Sequence, residues 1–189
     1  MGRITDTVKT LLILNVIFFV ASNFLGANIS NLLYTRLSFF FPKSDFFIFW
    51  QPLTHMFMHA PYQKGSLPYH IIFNMFNLYI FGSVIENSLG RNKFLFIYFS
   101  AGLGALALHL SIDYFQYYKV FDSLIAKDIP AEDVINYLNN SSLVNKSIMG
   151  ASGAVWGLMV AFAYLYPNLP LSLMFIPVPI KSKLSLIHI

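Results

Sequence analysis

An all-α, polytopic membrane helix bundle is the fold class this sequence predicts, and three observations carry it. The 189 residues are 57% hydrophobic, 17% aromatic and only 11% charged, with a mean hydropathy of +0.62. That composition excludes an ordinary soluble domain. Four uncharged apolar windows run through the chain: Leu11 to Ala27, Tyr69 to Ile85, Phe94 to Leu110 and Ser147 to Tyr166. None shows the alternation of a barrel strand, and backbone groups in lipid must bond within their own segment, so all four are expected as helices.

Three of these windows have 17 residues, at the short end of what spans, and the fourth has 20, which at 1.5 Å per residue is about the 30 Å hydrocarbon thickness of a bilayer. The first follows Arg3 and Lys9 and has the look of a signal peptide; an uncleaved span is preferred because three more follow and no A-x-A site is evident. Arg3, Lys9, Arg91, Lys93, Lys181 and Lys183 all fall on the cytoplasmic side if the N-terminus is inside. Two segments then lie outside. Asn28 to Pro68 carries Trp50 and Phe39-Phe40-Phe41 and reads as an interfacial loop. Ser111 to Lys146 sets five acids against three lysines and reads as a solvated acidic loop. Arg36, Lys43 and Lys64 form a basic group on the outer side that this orientation does not explain. The net charge of +4 reports loop charges and calls for no nucleic acid. Without cysteine there is no disulfide or thiolate metal site.

Polar groups inside these windows carry the chemistry. Ser152 lies in Gly150-Ala151-Ser152-Gly153 and is expected inside a membrane helix. One reading is packing, since Gly153, Gly157 and Ala161 make a small-residue face. The other follows from depth: Ser152 is five residues past Ser147 and Asn74 five past Tyr69, each about 8 Å below its entry point. His70 stands one turn above Asn74 on the same face. The three are expected to converge on one outward-facing pocket between the second and fourth spans. A hydroxyl nucleophile with His and Asn as oxyanion donors suits acyl transfer; hydrogen bonds that only join helices suit the same residues. Ala154 stands where the nucleophile elbow of soluble hydrolases needs glycine.

At these positions the chain resembles the rhomboid family of intramembrane serine proteases. The carriers are Leu53 to His59 (Leu-Thr-His-Met-Phe-Met-His), the run from His70 to Asn74, Gly82-x-x-x-Glu86, Gly90 and Gly150 to Gly153. Each is weak alone, but their order and spacing are specific, and they cover about residues 45 to 166. The resemblance implies a bundle of six helices, four of them present here. It implies a Ser-His dyad that cleaves transmembrane segments of other proteins near the outer bilayer surface, with no cofactor and no metal. Ser152 matches the nucleophile, and His70 and Asn74 match the oxyanion-stabilising pair. Gln51 stands where many members carry Arg after Trp50. The family's general-base histidine, on a later helix, has no counterpart here. His188 is expected on the cytoplasmic side, across the bilayer, and is not accepted as the base. The expected organisation is one membrane domain over residues 1–183, with 184–189 a non-native or truncated tail and two core helices missing. Leu169 to Lys183, broken by prolines, is expected as a cytoplasmic interfacial segment.

The remaining candidates get plainer readings. His55 and His59 have metal-ligand spacing but no acid or thiol nearby. His109, near Asp113, is read as a surface pair or as nothing, and Glu86 is expected to cap local backbone. Asn140 and Asn145 begin glycosylation-type triplets too short to carry weight. A catalytically silent relative that binds membrane proteins, and a transporter with a shallow polar layer, are the competing function classes. The lack of intramembrane charge and of an inverted repeat disfavours the transporter.

Overall fold

A computed structural model describes residues 3–172 and 179–181 of the chain. The first apolar window becomes α1 (Asp6–Phe24), which begins five residues before the window does. It ends before Gly26, whose φ of +98° breaks the run and starts the amphipathic α2 (Ala27–Leu37). The expected outer loop is therefore partly helical. After α2 come the short α3 (Gln51–Thr54) and one 3₁₀ turn, His55–Phe57. The second window is α4 (Tyr69–Asn77), a π turn at Leu78–Gly82 and α5 (Ser83–Leu89).

Two expectations need correction. The third window does not stop at Leu110: α6 runs Arg91–Ile125, 35 residues, and is followed by α7 (Ala131–Asn139) and α8 (Ser142–Asn145). The acidic segment is thus folded. Its apolar residues recur at helical spacing and bury Tyr117, Val134, Leu138 and Val144 against Phe41 of the first outer segment. Lys43 lies 5.0 Å over the Tyr117 ring, which gives one of the unexplained outer cations a partner. The second correction concerns the fourth window, where the helix α9 is Ser152–Leu165, so residues 147–151 are not helical. They are spent on long-range backbone bonds: Ile148 exchanges two with Phe39, at 2.9 and 2.7 Å, and Gly150 N–H donates to the His55 carbonyl at 2.9 Å. The depth of Ser152 accordingly follows from where those bonds pin the strand, not from helical rise. Beyond α9, β1 (Pro170–Ser172) pairs antiparallel with β2 (Pro179–Lys181) inside the expected interfacial segment.

Among the described residues, α1 and α6 are long and apolar enough to cross a membrane, and α9 is a shorter apolar helix. The core lies where α1, the α4–α5 segment, α6 and α9 meet, on Val8, Leu11, Leu78, Ile85, Phe94, Tyr98 and Leu158. Lipid tails are as apolar as leucine, so helix association in such a bundle rests on close packing. That is what the small-residue face does. A Cβ on Gly157 would overlap Ala101 of α6, and one on Gly153 would lie 2.6 Å from Ala105. Glu86 ties the other end together. Its carboxylate accepts from the Thr5 hydroxyl and, at 3.3 Å, from the Val8 N–H. It caps α1, 78 residues away, and not the local backbone as expected. An anion at a helix N-terminus contributes about 0.3–1 kcal/mol at exposed sites and up to about 2 in partly buried ones.

Candidate active site

Ser152 is the first residue of α9, after the cap residue Ala151. The first N–H groups of a helix have no intrahelical partner, so the serine hydroxyl sits beside free donors at the positive end of a helix dipole. The approach to that helix is fixed by Gly150. Its φ is +126°, a region L side chains rarely adopt, and a Cβ there would meet His70 at 2.8 Å from Cε1 and 3.0 Å from Nε2. The same point lies 3.6 Å from Ser152 Oγ. One edge of the His70 ring and the serine hydroxyl therefore both approach the point that a side chain at Gly150 would fill. Ser152 itself is exposed, and so is Trp156 one turn on.

The hydrogen bonds of His70 assign its proton. Nδ1 accepts the Ala60 N–H at 3.1 Å. A neutral ring whose Nδ1 accepts carries its hydrogen on Nε2, the nitrogen beside Gly150. In that form His70 offers a donor on the serine side and no lone pair with which to take the serine's proton. Asn74 is buried, and its amide donates to the His70 carbonyl at 2.7 Å. An Asn amide has two hydrogens, so the second stays available.

The first outer segment holds these groups in place. Gln51 is fully buried and satisfied at both ends of its amide: Oε1 accepts the Phe40 N–H at 3.2 Å, while Nε2 donates to the Thr35 carbonyl at 3.1 Å and the Phe46 carbonyl at 2.8 Å. A neutral amide thus knits this segment together. His55, whose carbonyl anchors Gly150, has its own Nδ1 3.2 Å from the Gln51 carbonyl, and burial lowers its pKa. His59 is fully buried, with Nε2 2.9 Å from Asn15 Oδ1 of α1. Burial, with His70 beside it, brings its pKa down to about 3, which keeps the ring neutral. The two histidines at metal-ligand spacing thus bond to different partners. Among the described residues no three His, Cys, Asp or Glu side chains group as metal ligands.

A model of the Rhomboid domain matches residues 47–189, most of the chain. This chain belongs to the rhomboid family. No curated protein matches it. The matched range begins inside the outer segment and takes in Gln51, His55, His59, His70, Asn74, Gly150 and Ser152. Membrane residence follows from the family and from the apolar helices together.

Other candidates lie apart from Ser152 and His70. His109 pairs with Asp113 at 2.9 Å along α6, as their spacing predicts. A cavity of about 820 Å³, lined by Arg3, Thr5, Lys9, Glu86 and Arg91 among others, lies at the far end of the α4–α5 segment from His70. His188 lies outside the described residues. Reasoning from sequence missed Asn15 and the Ala60 N–H. The signal for Asn15 was a lone amide in an apolar window, which in lipid needs a partner. Nothing in the sequence announces a main-chain donor such as Ala60.

Proposed function

We propose that the chain provides the nucleophile and the oxyanion site of a rhomboid intramembrane serine endopeptidase, whose substrates are transmembrane segments of other proteins. Rhomboid proteins are in general intramembrane serine proteases. The observation that carries the reading is the approach of Ser152 Oγ and the His70 Nε2 edge to one and the same point beside Gly150, at the N-terminus of α9. Ser152 Oγ attacks the scissile carbonyl carbon and its proton passes to a general base. The new oxyanion is met by His70 Nε2–H, the Ser152 N–H and the free hydrogen of the Asn74 amide. Collapse breaks the C–N bond, the base returns the proton to the amine, and water then hydrolyses the ester to regenerate the serine. His70 is not that base, because Ala60 occupies its Nδ1 and its Nε2 carries the proton. The base is assigned to a histidine that none of the described residues supplies.

The substrate must present an extended backbone. A helix hides its carbonyls in i to i−4 bonds, so the segment has to unwind near the outer interface before Ser152 can reach one. Helix-breaking Gly or Pro near the cut site therefore raises turnover. The test that separates donors from docking is Asn74→Ala in the full-length protein, assayed on a transmembrane substrate. The expected loss is about 10- to 1000-fold in kcat, with KM little changed, since an oxyanion donor acts in the transition state. A loss confined to KM would make Asn74 a docking group instead.

A second reading has an observation in its favour. Among the described residues His70, the histidine beside Ser152, offers it no lone pair. A silent rhomboid-like protein that binds membrane proteins without cutting them fits that arrangement. It is distinguished by the absence of any cleavage that Ser152→Ala removes.

A further inference from the structure

We propose that Asn15 and His59 are positioning residues that hold His70 in the tautomer able to donate from Nε2; this rests on the protease reading above and deepens it. The Asn15 side chain donates from Nδ2 to the Leu11 carbonyl at 2.8 Å, which fixes which end of the amide faces outward. That end is Oδ1, an acceptor only, and it stands 2.9 Å from His59 Nε2. His59 must therefore donate from Nε2, and its Nδ1 is left as a bare lone pair. The buried Nδ1 indeed has no partner. Asn15 and His59 are both fully buried.

Residue 59 is held at its main chain as well. The Tyr34 hydroxyl of α2 donates to the His59 carbonyl at 3.1 Å. The next N–H along the chain is that of Ala60, which donates to His70 Nδ1. The His59 ring also packs edge-on against the His70 ring, with centroids 5.3 Å apart. Two contacts from one anchored dipeptide thus set the plane of His70 and the nitrogen that carries its hydrogen. Were the Ala60 bond lost, the other neutral tautomer would turn a lone pair toward the oxyanion, and a catalytic donor would become a repulsive acceptor.

The test uses His59→Leu, which removes the donor to Asn15, and His59→Gln, whose amide nitrogen can reach the same oxygen. Asn15→Leu breaks the bond from the other side and guards against one variant failing to fold. The full-length protein is labelled with ¹⁵N-histidine in nanodiscs, and the ring-nitrogen shifts of His70 are read alongside kcat and KM. The parent is expected to show a single His70 tautomer, with Nδ1 unprotonated and Nε2 protonated. His59→Leu and Asn15→Leu are expected to show a mixture, with kcat lowered on the order of tenfold and KM little changed, a fraction of the loss from removing a donor outright. His59→Gln is expected to restore both readouts. A single unchanged tautomer in folded His59→Leu or Asn15→Leu would overturn the proposal, as would His59→Gln behaving like His59→Leu. The nitrogen shifts need no turnover, so they decide the tautomer even if Ser152 is found not to be a nucleophile.

Discussion

Ser152→Ala in the full-length protein is expected to abolish cleavage of a transmembrane substrate while leaving the protein folded and able to bind that substrate. Removing the nucleophile from a serine protease lowers kcat on the order of 10⁶-fold, which puts turnover below detection. Folding is expected to survive because Ser152 is exposed and is not on the face that packs against α6; Gly153 and Gly157 make that contact. Losing one hydroxyl from the exposed start of a helix, where Ala151 is the cap residue, removes no cap bond. Binding is expected to survive because docking rests on the substrate's apolar segment and not on the attacking oxygen. Comparison of initial rates and co-purified substrate for the two proteins checks both halves of the expectation. Turnover unaffected by the substitution would remove Ser152 as the nucleophile, and binding without cleavage by either protein would transfer the reading to the silent binding protein.

Gly150→Ala is the next most damaging change, and for a reason unrelated to the reacting atoms themselves. At φ +126° an alanine is strained, by roughly 1–2 kcal/mol for a left-handed conformation. Its methyl would also sit 2.8 Å from His70 Cε1. Something must give, and the ring is held behind by the Ala60 N–H and the His59 ring. The strand then moves, carrying Ser152 with it, or the imidazole turns and Nε2–H leaves the oxyanion position. Either outcome costs at least one donor, about 10²- to 10³-fold in kcat. A thermal unfolding midpoint measured beside kcat separates the two parts. Strain alone lowers stability at constant kcat in the folded fraction, whereas a displaced His70 lowers kcat at temperatures where the protein is fully folded.

The sequence made the bundle and its family legible because lipid leaves few alternatives: long uncharged windows must be helices, and small residues at i, i+4 must pack closely. Gly153 and Gly157 do pack on Ala105 and Ala101. Where α9 begins was not legible. Apolar composition is continuous across Ile148, Met149 and Ala151, and what stops the helix from extending back is pairing with Phe39 and His55, about a hundred residues earlier. The acidic segment was misleading for a different reason. Its net charge suggested a solvated loop, although Val134 and Leu138 stand one helical turn apart and pack with Tyr117 and Phe41. At the candidate site, the glycine-serine motif and the His70–Asn74 spacing could be read directly. The orientation of Asn74 could not, because an amide in a helix can bond back to the carbonyl four residues earlier, as Asn15, Asn23 and Asn77 also do. The hydrogen on His70 was equally hidden, since it depends on a main-chain donor from another segment.

The claim on which the rest depends is that Ser152 is a nucleophile in a membrane. Covalent capture tests it most directly. The full-length protein in nanodiscs is treated with a mechanism-based serine probe such as a fluorophosphonate, digested, and mapped by mass spectrometry. A single adduct on the peptide containing Ser152, lost in Ser152→Ala and slowed in Asn74→Ala, is the predicted result. Cleavage of substrate by a protein that carries no adduct at Ser152, or an adduct on another serine that tracks activity, would contradict it.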